Sequence, residues 1–296
     1  MKQSRVFLFL SIIVLVFSSC ATNSKSSPAP SSYIKNEGSD TLVNLALAWA
    51  EKYQMEHPDI QISVTGGGSG TGITALINGT IDIANASRAM TADEINTAKS
   101  AGFDPIQFVV ARDAIAVIVN PNNPVSNLTL KQISDIYKGL IKNWKEIGGE
   151  DRPIVKLSRE SNSGTHVYFL QTVIRLGSKT DTSIFSSDTL LLPSSEGIIA
   201  EVSDNPNAIG YDGLGYVSPQ VKVIAVAKDD SSPAIIPSVD SVNNGTYPIS
   251  RDLYIYSHGQ PTGIILAYLQ WIQSTEAQQI VTQLGFVPIV AAGSGK

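Results

Sequence analysis

The chain of 296 residues carries 26 acidic and 21 basic side chains, which give a formal net charge of −5 at pH 7. This acidic balance lacks the positive charge that proteins use to bind nucleic acid, so we exclude nucleic acid as a partner. The single cysteine excludes an internal disulfide, and the folded part must therefore rely on its hydrophobic core.

The N-terminus has the pattern of a secretory signal. A basic start precedes an apolar run at residues 6–17, which is too short to span a bilayer as a mature helix. Small residues then lead into Cys20, the usual setting of a lipidation site. We predict a signal peptide at 1–19, a lipidated Cys20 and a flexible Ser- and Pro-rich tether over 20–32. An ordinary signal peptide with an incidental cysteine is the alternative.

Beyond the tether, short β-branched runs alternate with helical patterns, which predicts an α/β fold with a largely parallel sheet. The first predicted series is a helix at 42–56, a strand at 61–64, a helix at 70–78, a strand at 81–84, a helix at 91–100 and a strand at 106–110.

A second series follows the first. Its predicted elements are a strand at 115–119, a helix at 130–137, a strand at 154–158, a long helix after Thr165, and strands at 208–211 and 221–227. An irregular stretch then leads to a strand at 253–257 and one long helix at 261–284. Two series of elements, followed by a strand and a helix that return to the first series, predict two lobes. Residues 33–112 plus 250–296 form lobe 1, and residues 113–249 form lobe 2.

Three segments place glycine with serine or threonine directly before a predicted helix, at residues 38–41, 66–71 and 163–165. A helix N-terminus offers unpaired N–H groups to an anion. The hydroxyl of a single such cap usually hydrogen-bonds only the backbone of its own helix and contacts no ligand. Three caps together with Arg159, whose guanidinium suits a tetrahedral oxyanion, favour a shared anion site. The alternative for Arg159 is a surface ion pair with Glu160.

Five linked motifs resemble the phosphate-binding proteins of bacterial ABC importers: GSDT at 38–41, GGGSGTG at 66–72, DIANASR at 82–88, DIYKG to NW at 135–144, and RESNSGT at 159–165. The resemblance spans nearly the whole chain after the tether. It implies a two-lobed periplasmic-binding-protein fold of type II, inorganic phosphate held in the cleft, and permease and ATPase subunits as partners. The residues that it assigns to the ligand are Ser39, Thr41, Leu42, Ser69, Ser87, Arg88, Arg159, Ser163, Gly164 and Thr165.

One assigned residue departs from the family pattern, because better-known members carry an aspartate where this chain has Arg88. A carboxylate accepts a hydrogen bond from protonated phosphate and rejects sulfate, whereas arginine only donates. We therefore expect Arg88 to favour the more charged form of phosphate and to weaken discrimination against sulfate. Asp40, Asp82 and Glu160 are the nearby acceptors in sequence. Asp82 also suits a buried structural role, and Glu160 suits orienting Arg159.

Catalysis has little support in the sequence. Ser69 and Ser163 lack the setting of a nucleophile elbow, and no histidine–carboxylate cluster has metal spacing. We interpret His166 as a partly exposed helix residue, with a pH-sensing neighbour of the anion as the alternative. We expect a monomeric, lipid-anchored receptor outside the cytoplasm with no cofactor and no metal. A phosphate-dependent hydrolase, a signalling or adhesion protein on this scaffold, and a sulfate receptor stay open.

Overall fold

The computed structural model describes residues 32–289. The predicted signal peptide at 1–19, the lipidation site at Cys20 and all of the tether except its last residue lie outside the described part. The first series comprises strands β1 (Ser32–Gly38), β2 (Ile60–Thr65) and β3 (Ile83–Ala86), and helices α1 (Val43–Glu56), α2 (Ser69–Ile77) and α3 (Ala92–Ser100). A 3-10 turn at Asp40–Leu42 precedes α1.

The second series contains more helices and strands than the sequence predicts. It contains β4 (Ile106–Val119), β5 (Asn127–Thr129), α4 (Leu130–Tyr137), β6 (Val155–Arg159), α5 (Gly164–Phe169) with a π-helical turn at Leu170–Ile174, β7 (Leu190–Leu192), α6 (Ser195–Asp204), β8 (Ala208–Gly213), β9 (Lys222–Ala227) and α7 (Val239–Asn243). The chain then returns through β10 (Ser250–Ser257), α8 (Gly263–Ile272) and α9 (Thr275–Gln283).

The strands follow the order β2-β1-β3-β10-β4-β8-β6-β7, while β9 pairs with both β4 and β5. Strand β4 changes partners along its length, and we call the elements on its β10 side lobe 1 and those on its β8 side lobe 2. Residues 106–114 of this strand pair with β10, and residues 115–119 pair with β8 and β9. One continuous strand therefore belongs to both lobes, and the α/β two-lobed fold is confirmed.

The predicted largely parallel sheet is mixed. Every pair that involves β4 or β10 is antiparallel, and the other described pairs are parallel. The two predicted strands at 106–110 and 115–119 form one strand, since the charged Arg112 and Asp113 that interrupt the apolar run are accommodated within it. The predicted helix at 261–284 is two helices, because Ser274 caps α9 by accepting a hydrogen bond from the amide of Ala277.

Each lobe has its own hydrophobic core. In lobe 1, helices α1, α8 and α9 pack against the sheet, and Trp49 of α1 and Tyr268 of α8 lie in this core. In lobe 2, Tyr137, Trp144 and Phe169 lie in a second cluster. No helix within residues 32–289 is both long enough and apolar enough to cross a membrane.

Gly72 provides a test of the packing of α2 on β1. A Cβ atom on Gly72 would lie 2.5 Å from both the carbonyl oxygen of Glu37 and the Cα of Gly38. Alanine usually stabilises a helix relative to glycine, but here the backbone of β1 would have to move. We expect Gly72→Ala to lower the free energy of unfolding by about 1–3 kcal/mol in urea titrations.

The matched control is Gly197→Ala in α6, where the nearest atom, the Ser194 Oγ, would be 3.3 Å from the new Cβ. We expect this variant to be neutral or slightly stabilised. Equal effects of the two substitutions would contradict the close packing of α2 on β1.

Candidate anion-binding site

Loops from the ends of several strands meet where the two lobes face each other. Gly38 ends β1 with a φ of 144°, and a Cβ there would lie only 2.1 Å from the carbonyl oxygen of Asn85. Glycine is therefore required for the loop after β1 to lie directly against the loop after β3. The segment after β2 begins α2 at Ser69, and the segment after β6 begins α5.

Buried hydroxyl groups of lobe 1 form a connected chain. Ser39 Oγ donates to Ser87 Oγ at 2.8 Å, and Ser87 Oγ lies 3.3 Å from Ser69 Oγ. The backbone amide of Ser87 also donates to Ser69 Oγ at 3.0 Å. All three serines are buried, so their hydrogen bonds with one another replace those that water would make.

Lobe 2 contributes directly to the same place. The Oγ1 atoms of Thr165 and Thr41 are 2.9 Å apart, which joins α5 to the loop after β1. A Cβ on Gly164 would lie 2.3 Å from Ser69 Oγ and 2.6 Å from Ser87 Oγ, so only glycine fits between the lobes. We call the side chains of Ser39, Thr41, Ser69, Ser87 and Thr165 the hydroxyl cluster.

Two further predicted residues have local roles in the structure. Ser163 caps α5, and its hydroxyl accepts a hydrogen bond from the Thr165 amide at 3.2 Å. The amide of Leu42 donates to the carbonyl oxygen of Ser39 at 3.0 Å, within the 3-10 turn, and the Leu42 side chain lies in the core of lobe 1.

Arg159 is buried at the end of β6 and connects the lobes. Its Nη2 donates to Asp40 Oδ2 at 2.8 Å and to the carbonyl oxygen of Pro193 at 2.7 Å, while Nη1 donates to Ser195 Oγ at 2.8 Å. Asp212 lies 3.9 Å from Nη1, and burial raises the pKa of this carboxyl group to about 6 against the opposing effect of Arg159. The ion-pair partners of Arg159 are thus Asp40 of the other lobe and, at the longer distance, Asp212, so the alternative of a surface pair with Glu160 is wrong.

Arg88 lies beside the cluster, but its guanidinium is bound to a carboxylate. Nη1 and Nη2 each donate to an oxygen of Glu94 at 2.7 Å. Burial is the largest single effect on the pKa of Glu94 and raises it, but the hydrogen bonds with Arg88 and the Thr91 amide and the charge of Arg88 together outweigh burial and lower the pKa. Asp82 accepts a hydrogen bond from the backbone amide of Lys35 at 2.7 Å, so it has a structural role, but it is partly exposed and not buried as the alternative supposed.

The sequence analysis missed a buried ion pair below the hydroxyl cluster. Arg251 Nη2 donates to Asp113 Oδ2 at 2.9 Å, to Thr165 Oγ1 at 3.0 Å and to Thr41 Oγ1 at 3.4 Å. Burial raises the pKa of Asp113, although Arg251 opposes this effect. Asp113 interrupts an apolar strand pattern, and a charge at such a position indicates a buried partner, although the sequence does not show that this partner is Arg251.

An open cavity of about 680 Å³ lies between the lobes on the side of Arg251. Its polar lining includes Arg88, Arg112, Tyr168, Gln171, Arg251 and Asp252. Within residues 32–289, no group of three or more histidine, cysteine, aspartate or glutamate side chains could hold a metal ion.

The model of the PBP superfamily domain matches residues 23–276 of the chain. The phosphate-binding protein PstS of Pseudomonas aeruginosa is 32% identical over 275 residues, which cover 87% of this chain and 83% of PstS. The chain belongs to the PstS family of the PBP superfamily. PstS of Bacillus subtilis is 30% identical over 305 residues, which cover 98% of this chain and 95% of that protein.

Solved structures agree with this family assignment. A phosphate ABC transporter substrate-binding protein from Clostridium perfringens, crystallised with bound phosphate, matches with a TM-score of 0.77 and 32% identity, over 87% of this chain and 100% of that chain. An ABC-type phosphate transport receptor from Vibrio cholerae matches with a TM-score of 0.69 and 32% identity, over 86% of this chain and 100% of that chain.

His166 provides a pH test of this region. Its Nδ1 lies 2.9 Å from the carbonyl oxygen of Arg159 and 3.1 Å from Ser158 Oγ, and its ring stacks on Phe185. Burial lowers the pKa of His166, although the hydrogen bond with Arg159 opposes this effect. The unfolded chain therefore binds a proton more readily, and stability is lost as the pH falls through about 6.5.

We expect the free energy of unfolding to fall less in His166→Asn than in the wild type between about pH 7.5 and about pH 5.5. Asparagine keeps an N–H donor for the Arg159 carbonyl but does not titrate. Urea titrations at both pH values measure the difference, and parallel losses in the two proteins would show that His166 does not titrate in this way.

Proposed function

We propose that this chain captures inorganic phosphate outside the cytoplasmic membrane and delivers it to the permease and ATPase subunits of an ABC importer. The observation that carries this proposal is the hydroxyl cluster, in which Thr41 of lobe 1 meets Thr165 of lobe 2 at 2.9 Å. Capture of one anion by both lobes requires donors from both lobes at one place. Membership of the PstS family and the phosphate bound in the C. perfringens structure support the same ligand.

The chemistry of the cluster suits a small tetrahedral oxyanion. Phosphate oxygens are hydrogen-bond acceptors, and a buried anion needs several donors to offset the loss of water. Hydroxyl groups can turn their protons toward such a ligand, while the same oxygens accept from neighbouring groups. The proposed ligand residues are those assigned by the resemblance: Ser39, Thr41, Leu42, Ser69, Ser87, Arg88, Arg159, Ser163, Gly164 and Thr165.

We propose a receptor and not an enzyme. A hydrolase would need a base next to a hydroxyl nucleophile. The Nδ1 of His166, the histidine closest in sequence to the cluster, bonds with Ser158 and the carbonyl oxygen of Arg159 instead. No observation favours a signalling or adhesion role, and the ligand titrations below test sulfate.

The remaining parts of the proposal concern organisation. We propose lobe boundaries at 112/113 and 249/250, a lipid anchor at Cys20, and a monomer. The boundary in β4 has support from its change of partner between residues 114 and 115. A role for Arg88 in discriminating between phosphate and sulfate stays a prediction. Its guanidinium is paired with Glu94.

Calorimetric titration of ligand-free protein with phosphate, sulfate, arsenate and molybdate tests the proposed function. We expect phosphate to bind tightly and Thr41→Val to weaken that binding by about 2 kcal/mol, roughly 30-fold, because a hydroxyl donor to the anion is lost while the shape is kept.

The matched control is Thr97→Val in α3, whose hydroxyl donates to the carbonyl oxygen of Asp93 within its own helix. This variant should bind phosphate like the wild type. A wild-type protein that binds sulfate and not phosphate would overturn the proposed ligand.

Lobe movement is a separate prediction. If both lobes bind one anion, phosphate should favour the compact arrangement. We expect small-angle scattering to give a smaller radius of gyration with saturating phosphate than without it. Superimposable curves in the two conditions would refute closure of the lobes.

A further inference from the structure

Arg251 occupies a distinctive position in the fold. It lies on β10 directly opposite Asp113 of β4, next to the point at which β4 leaves lobe 1 for lobe 2. The side chain is buried, and its guanidinium carbon lies 5.6 Å from the ring centroid of Tyr168 in lobe 2. Arg251 is therefore at the junction of the lobes and in contact with both of them.

The hydrogen bonds of Arg251 extend into the hydroxyl cluster. Nη1 donates to the carbonyl oxygen of Ser87 at 2.9 Å. Nη2 lies within hydrogen-bond distance of Thr165 Oγ1 at 3.0 Å and of Thr41 Oγ1 at 3.4 Å. One guanidinium thus contacts three residues of the proposed site, which come from both lobes.

These contacts determine what the threonine hydroxyls can do. A hydroxyl has one proton and two lone pairs, so an oxygen that accepts from a cation directs its proton elsewhere. With Arg251 donating to Thr165 and Thr41, their protons point away from the guanidinium. Both hydroxyls can then donate to an oxyanion that replaces the hydrogen bond between them. The positive charge also favours an anion at this place.

The other two arginines of the region are bound to different partners. Arg159 uses its terminal nitrogens for Asp40, Ser195 and the carbonyl oxygen of Pro193. Arg88 uses its terminal nitrogens for Glu94 and the carbonyl oxygen of Ala89. The Nε atoms of all three arginines are buried and have no hydrogen-bond partner among residues 32–289, so the contacts of the terminal nitrogens are what distinguish Arg251.

We propose that Arg251, held by Asp113, is a positioning residue of the anion site that fixes the Thr41 and Thr165 hydroxyls as donors at the junction of the lobes. The proposal rests on the phosphate-binding function proposed above. It assigns to β10 a part of the site that lies outside the five sequence motifs.

The test uses the double variant Arg251→Met/Asp113→Asn. Removing both charges leaves no unpaired buried ion, and such neutral replacements of buried ion pairs often preserve stability. We expect the protein to unfold within about 5 °C of the wild type. Calorimetric titration with inorganic phosphate should nevertheless give an affinity about 10- to 100-fold weaker, because charge-assisted hydrogen bonds are lost.

The matched control removes another buried cation with its carboxylate partner. Lys156 is buried in β6, and its Nζ lies 2.8 Å from Asp188 Oδ2. We expect Lys156→Met/Asp188→Asn to bind phosphate within about 2-fold of the wild type. A positioning role also predicts that Arg251→Lys recovers only part of the affinity, since an ammonium cannot reproduce the planar fork.

Three results would contradict the positioning role of Arg251. Wild-type affinity in a folded double variant would overturn its role while leaving phosphate binding by the wild type intact. If the double variant does not fold, wild-type affinity in Arg251→Lys would overturn it. A wild-type protein that binds no phosphate would overturn both the proposed function and the role of Arg251.

Discussion

The passage of β4 from one lobe to the other is the constraint on which the site depends. Eight of its first nine residues pair with β10, its last five pair with β8, and three of those five also pair with β9. The lobes are therefore joined by paired backbone, and each keeps a separate hydrophobic core. Loops from both lobes meet beside this strand, which allows Thr41 and Thr165 to approach each other although they are 124 residues apart in the chain.

Charge is balanced locally around the hydroxyl cluster. The buried arginines Arg159 and Arg251 are each bound to an aspartate, and Arg88 is bound to Glu94. An acidic chain provides no long-range attraction for an anion, so recognition must come from donors at short distance. Paired arginines can orient hydroxyl groups without leaving an uncompensated charge in the interior.

The sequence predicted some parts of the site and not others, for physical reasons. Glycine followed by serine or threonine before a helix is a local signal, and it correctly placed Ser69 and Thr165 at helix starts. The partners of Arg159 could not be predicted, because Asp40 lies 119 residues away and on the other lobe. Arg251 was missed since a lone arginine in a strand gives no local sign of its partner.

By itself, the sequence determined the α/β class, the alternation of most elements, and the glycines and hydroxyls that surround the site. These features depend on local periodicity, capping and backbone freedom, which neighbouring residues specify. Only the tertiary structure decided that β4 is one strand in two lobes, that Arg88 pairs with Glu94, and that Arg251 reaches the Thr41 and Thr165 hydroxyls. Such pairings depend on which distant segments the folded sheet brings side by side, and spacing along the chain does not encode that information.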